Sequence, residues 1–204
     1  MTDPGLPTLV VVSGPPRTGK TTLAHTVASA LPCPAVCRDE IKEGMVHTAG
    51  DGFRAAAGDA LTQRTLPVFF DVLETLVTAG VTTVAEAAFQ DRLWRHGLEP
   101  VLGRASLRIV QCHCDPAVGR ERRRLAADGG QTAHATIIGD EIEDWRRAYA
   151  EFDRVSLPSP SLDVDTTDDY EQQSAGCNGR DSGCQPRPWK LAAECTPATR
   201  DAGY

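Results

Sequence analysis

The chain has 204 residues, 41% hydrophobic and 24% charged, a balance that suits one globular α/β domain large enough to bury a core. Its net charge of −7 argues against a general nucleic-acid surface, which calls for basic patches, while leaving room for a local basic groove. No apolar run approaches the roughly 20 residues needed to cross a bilayer, and the N-terminus lacks a basic-then-apolar leader, so a cytoplasmic location without membrane partners is expected.

In chain order, Leu9-Val10-Val11-Val12 reads as a buried strand. The run Gly14-Pro15-Pro16-Arg17-Thr18-Gly19-Lys20-Thr21 follows, and Thr22 to Leu31 has helical spacing that Pro32 stops. A short second strand is expected at Ala35–Cys37 and a helix at Glu40–Val46, before Gly50-Asp51-Gly52 breaks the chain. Helical patterning runs from about Arg54 to Ala79, with Pro67 kinking or splitting it and Gly80 closing it. Val81–Ala85 is the third strand, ending at Glu86; a helix spans Asp91–Leu102, and Leu107–Cys112 is the fourth strand. Pro116 opens an arginine-rich helix to about Ala127, Asp128-Gly129-Gly130 turns, and His134–Phe152 is mostly helical. Ser161–Asp165 is the last strand, with Thr166–Asp169 as a helix cap behind it.

This alternation predicts a mainly parallel five-stranded sheet with helices on both faces, over a domain at 1–173. From about Ser174 apolar periodicity disappears among glycine, proline, glutamine and isolated cysteines. The 174–204 segment is therefore expected to be a disordered tail or a partner-binding one.

The 14–21 run is a phosphate-binding loop in the setting such a loop requires. Glycines let the backbone curl so that successive N–H groups meet phosphate oxygens, and the new helix adds its positive dipole end. The nucleotide set is Gly14, Pro15, Pro16, Arg17, Thr18, Gly19, Lys20, Thr21 and Thr22. Lys20 would reach the β- and γ-phosphates of ATP, and Thr21 would hold Mg²⁺.

Asp39 follows the second strand, on the edge where a doubly wound sheet presents its ligands. It suits a base that takes a proton from an attacking hydroxyl, and equally the N-cap of the next helix. Glu86 ends the third strand at the same edge, either to handle Mg²⁺ or the acceptor, or as a solvated carboxylate capping the turn. One arginine of Arg120, Arg122, Arg123 and Arg124 is expected to reach the transferred phosphoryl group, with Arg122 and Arg123 preferred and Arg92 a weaker candidate. The seven cysteines show no metal-ligand spacing, nor do His25, His47, His96, His113 and His134, so both sets are read as structural or incidental.

With these residues in view, the chain resembles the small P-loop kinases, especially the group holding polynucleotide 5′-kinase, chloramphenicol phosphotransferase and the zeta toxins. The matching pieces are the Gly14–Thr21 loop, Arg38-Asp39-Glu40-Ile41, Val84-Ala85-Glu86-Ala87-Ala88-Phe89, Cys114-Asp115-Pro116 and Val164-Asp165-Thr166-Thr167. The resemblance implies a P-loop NTPase three-layer sandwich with a small helical lid. It implies that Asp39 activates the acceptor hydroxyl, that the arginine helix is the lid, and that residues 40–80 bind the acceptor. Two departures stand out: Glu86 where many relatives carry aspartate, and a loop holding two prolines and Arg17 where many carry small residues.

The expected activity is transfer of the γ-phosphoryl of ATP, with Mg²⁺, to a hydroxyl of a small molecule. An ATP-hydrolysing regulatory P-loop protein is the alternative, and a polynucleotide 5′-hydroxyl kinase a further one that the acidic balance disfavours.

Overall fold

A computed structural model describes residues 5–50, 53–54, 56, 58–128 and 138–168. In chain order the elements are β1 (Thr8–Ser13), α1 (Lys20–Ala30), β2 (Ala35–Cys37), α2 (Arg38–Ala49), α3 (Ala60–Thr78) and β3 (Thr83–Glu86). Then come α4 (Asp91–Leu102), β4 (Ser106–His113), α5 (Pro116–Asp128), α6 (Ile142–Ala150) and β5 (Ser161–Asp165). The expected turn at Gly129-Gly130, His134 and the 174–204 tail lie outside the described residues.

Five strands form one sheet in the order β2-β3-β1-β4-β5, every pairing parallel. β1 is central and wholly buried, which is why its sequence is a continuous apolar run rather than an alternating one. Alternate residues of β1 face opposite layers. Val10 and Val12 pack with Leu23 and Val27 of α1, while Leu9 and Val11 pack with Phe69 and Leu73 of α3 and Leu98 of α4. The result is the expected three-layer α/β sandwich, with one core on each side of the sheet.

Because all strands are parallel, Ser13, Cys37, Glu86, His113 and Asp165 end on one edge. After β1 the chain crosses to β2, returns to β3 beside β1, and then passes to β4 on the other side of β1. That order reversal opens a crevice where open α/β sheets take their ligands.

Some boundaries differ from expectation for physical reasons. The helix expected from Arg54 begins at Ala60, because Asp59 caps it by accepting from the Thr62 N–H at 2.7 Å. It continues through Pro67 rather than splitting there. The lost hydrogen bond, costing about 3 kcal/mol, is offset by fully buried Phe69 and Leu73 on its inner face. Its end is a Schellman turn: Gly80, at φ 77°, donates to Val77 and Val81 donates to Leu76. Val81 is thereby used up, and β3 starts at Thr83 instead. Of the helix expected across His134–Phe152, residues 134–137 lie outside the described residues, 138–141 are not helical, and α6 covers Ile142–Ala150. Cys37, rather than Asp39, occupies the N-cap position of α2.

Candidate active site

The loop between β1 and α1 is shaped by three left-handed or unusual backbone positions. Gly14 sits at φ 150°, and a Cβ there would stand 2.2 Å from the Cys112 carbonyl oxygen of β4. Only glycine lets the loop leave the sheet this close to the neighbouring strand. Gly19, at φ 76°, is the N-cap of α1 and offers no side chain, so the first N–H groups of α1 keep their capacity to hold an anion. Arg17 adopts φ 64°, a conformation costly for a residue with a Cβ and often kept at functional sites.

The loop carbonyls are held from behind. Pro15 O accepts from both Thr18 Oγ1 at 2.9 Å and Lys20 Nζ at 2.8 Å. Pro16 O accepts from the Tyr149 hydroxyl of α6 at 2.7 Å. Arg17 O takes a long 3.5 Å contact from Arg122 Nη1 of α5, and Thr18 O accepts from Thr166 Oγ1 at 2.5 Å. Arg122 Nη2 also donates to Thr166 O at 2.7 Å, tying α5 to the segment after β5.

Glu86 is buried, not a solvated turn cap, and accepts a hydrogen bond from Thr21 Oγ1 at 3.1 Å. Burial pushes its carboxyl up from the ordinary range; the Lys20 ammonium opposes this, and Asp39 adds to it. A hydroxyl and a carboxylate oxygen side by side form a hard donor pair of the kind that suits Mg²⁺. The residues therefore fit a metal–nucleotide pair: an uncapped helix N-terminus, a lysine five residues from its carbonyl partner, and an all-oxygen donor pair beneath.

Asp39 is exposed in the first turn of α2, with its carboxylate 2.7 Å from Arg38 Nη1. Arg122 and Arg123 diverge. Arg122 lies against the loop, whereas Arg123 pairs with Asp140 at 2.5 Å and Arg120 donates to Asp140 O at 2.6 Å. Arg124 pairs with Glu121 on its own helix, and Arg92 lies largely in solvent beside Asp153. Pro15 and Thr18 are buried, while Thr22 is exposed on α1. Thr166, expected as part of a helix cap and of the family-like run at 164–167, and Tyr149, expected as an apolar residue of the last helix, both hold loop carbonyls instead. The signal available for Thr166 was its place just past β5 on the ligand-bearing edge.

Between α2 and α3 lies a cavity of about 380 Å³, lined by Ile41, Met45, Thr48 and Leu61, with Arg64 at its wall. Beside it Lys42 and Asp59 form a buried pair at 2.8 Å, joining the two helices.

The parallel order, the loop and the Thr21–Glu86 pair define an α/β P-loop NTPase fold. A family model described as AAA domain matches residues 9–151, and the chain belongs to that family. A candidate kinase from Chloroflexus aurantiacus is similar in structure at TM-score 0.68 and 24% identity, covering 79% of this chain and 89% of that one. The Mycobacterium tuberculosis APS kinase, solved with AMPPNP and APS, aligns at TM-score 0.54 and 16% identity over 94% and 96% of the two chains. The Deinococcus radiodurans tunicamycin resistance protein aligns at 0.52 and 15% over 93% of each. No curated protein matches the sequence. Among the described residues, no helix is long and apolar enough to cross a membrane.

Proposed function

We propose that the chain is an ATP-dependent phosphotransferase that moves the γ-phosphoryl of ATP to a hydroxyl of a small molecule. The observation that carries this reading is the buried Glu86 bonded to the Thr21 hydroxyl at 3.1 Å, directly beyond Lys20 at an uncapped helix N-terminus. Membership of the AAA domain family and the fold shared with an AMPPNP-bound kinase support it.

In this mechanism the loop N–H groups and the start of α1 bind the triphosphate. Lys20 exchanges its Pro15 carbonyl for phosphate oxygens, and Arg122, already against the loop, neutralises charge developing on the transferred group. Thr21 and Glu86 would hold Mg²⁺, which would supply charge stabilisation for the transfer. Asp39 accepts the proton of the acceptor hydroxyl as its oxygen bonds to the γ-phosphorus and the bond to the β-phosphate oxygen breaks, releasing ADP. The cavity that begins at Ile41, two positions beyond Asp39, has the size of a small-molecule site, and Arg64 suits an anionic group on the acceptor.

The test is a radiolabelled-ATP screen over alcohol-bearing metabolites, antibiotics and 5′-hydroxyl oligonucleotides, with the Lys20→Ala protein alongside. Label is expected on a small acceptor in the wild type only. Hydrolysis at the same rate with or without any acceptor would instead make the chain a nucleotide-hydrolysing regulator. Transfer to oligonucleotides alone would make it a polynucleotide kinase.

A further inference from the structure

Three side chains with no apparent relation in the sequence meet beside the nucleotide site. His25 projects from the middle of α1, Cys37 ends β2 and starts α2, and Glu40 lies in the first turn of α2. His25 Nε2 stands 2.6 Å from Glu40 Oε1 and 3.8 Å from Cys37 Sγ, and the three donor atoms lie within 4.8 Å of one another. Ordinary zinc bond lengths at a tetrahedral angle put a nitrogen and an oxygen roughly 3.4 Å apart, and a nitrogen and a sulfur roughly 3.6 Å apart. His25 and Glu40, each about half exposed, are the two donors with room to adjust toward those separations.

We propose that His25, Cys37 and Glu40 form a site for Zn²⁺ or a divalent ion of similar softness, with its fourth position open to water. The donor chemistry selects the ion. One sulfur, one imidazole nitrogen and one carboxylate oxygen suit zinc and are poor for Mg²⁺, which demands oxygen. The neighbouring Thr21–Glu86 pair has the opposite preference, so two donor sets of different hardness stand side by side. Accessibility also fits. The His25 and Glu40 side chains are 51% and 46% exposed, whereas Cys37 is only 2% exposed, so an ion would enter from solvent past the two exposed donors to reach a buried sulfur at the end of β2. Cys37 stands opposite Glu86 in the β2–β3 register; burial first, and then the charges of Glu86, Glu40 and Asp39, push its thiol up, so the acidic surroundings attract a cation while the ion has to displace the thiol proton.

Titrating the reduced full chain with Zn²⁺ alone, against a chelating indicator, tests this. A site is expected that His25→Gln and Cys37→Ser each weaken at least about tenfold, and that serine at Cys177, Cys184 and Cys195 together leaves unchanged. With Co²⁺ as the probe, a thiolate-to-cobalt charge-transfer band is expected in the wild type and the triple variant, but absent from Cys37→Ser. His25 is exposed, so His25→Gln keeps the test informative even where Cys37→Ser folds poorly. No zinc bound by the wild type, equal affinity in His25→Gln, or loss of the band in the triple variant would each overturn the proposal.

Discussion

Two parts of the molecule flank the ligand-bearing edge, and they are held together by different forces. On one side, α2 and α3 are joined by Lys42 and Asp59, a charge pair whose side chains are only 3% and 8% exposed. On the other, the phosphate loop is held by neutral or singly charged donors on four successive carbonyls, from Pro15 to Thr18. A buried ion pair concentrates stability in one place: losing either partner leaves an uncompensated charge. The loop spreads its support over several bonds, each worth about 1 kcal/mol. The α2–α3 unit should therefore fail at a single substitution or at low pH, and the loop should fail only gradually.

The largest expected effect is on the first side. Asp59→Ala removes the Lys42 partner and the cap of α3 together, and should cost about 3–5 kcal/mol in urea unfolding. A loss below about 1 kcal/mol would show that the pair is not the joint between the helices. Lys20→Ala should slow phosphoryl transfer on the order of 10³-fold with thermal stability nearly unchanged, because it removes a donor to developing charge and only one of two bonds to Pro15 O. Asp39→Asn should slow transfer about 10²-fold without altering nucleotide affinity, measured by equilibrium binding against single-turnover rates. Tyr149→Phe is the smallest change, expected to cost about 1 kcal/mol through the Pro16 carbonyl, and a far larger loss would mean that the loop too depends on one joint.

Acid distinguishes the two sides as well. Burial alone would raise the Asp59 carboxyl, but the Lys42 hydrogen bond and the backbone donors Thr62 and Ala56 outweigh it and hold it well below the usual carboxylate range. A group depressed in the folded state stabilises the fold above its unfolded value, and that contribution is lost as pH falls. Wild-type stability should thus decline below about pH 4, and Asp59→Asn should flatten that limb. An unchanged acid limb in Asp59→Asn would detach the pair from acid sensitivity.

What could be read from the chain follows the distance over which residues act. The loop, its strand and its helix were legible because their contacts are local, as in the Lys20–Pro15 bond five residues apart. The parallel order followed from alternating elements. By contrast, Tyr149 and Thr166 reach loop carbonyls 133 and 148 positions away, and no local pattern marks them. That Arg122 lies against the loop while Arg123 turns to Asp140 depends on a residue 17 positions beyond Arg123. The Asp59 cap that starts α3 is itself held by Lys42, seventeen positions earlier. His25, Cys37 and Glu40 have no ligand spacing because three elements bring them together.

The tethering of the loop carbonyls also bears on how quickly a nucleotide is captured. With Pro15, Pro16, Arg17 and Thr18 all anchored, the backbone already has a settled shape before any phosphate arrives. Little ordering entropy is left to spend on association. Mixing with nucleotide in a stopped-flow instrument should therefore give a single phase whose rate rises linearly with concentration, without the plateau that a slow loop rearrangement would impose.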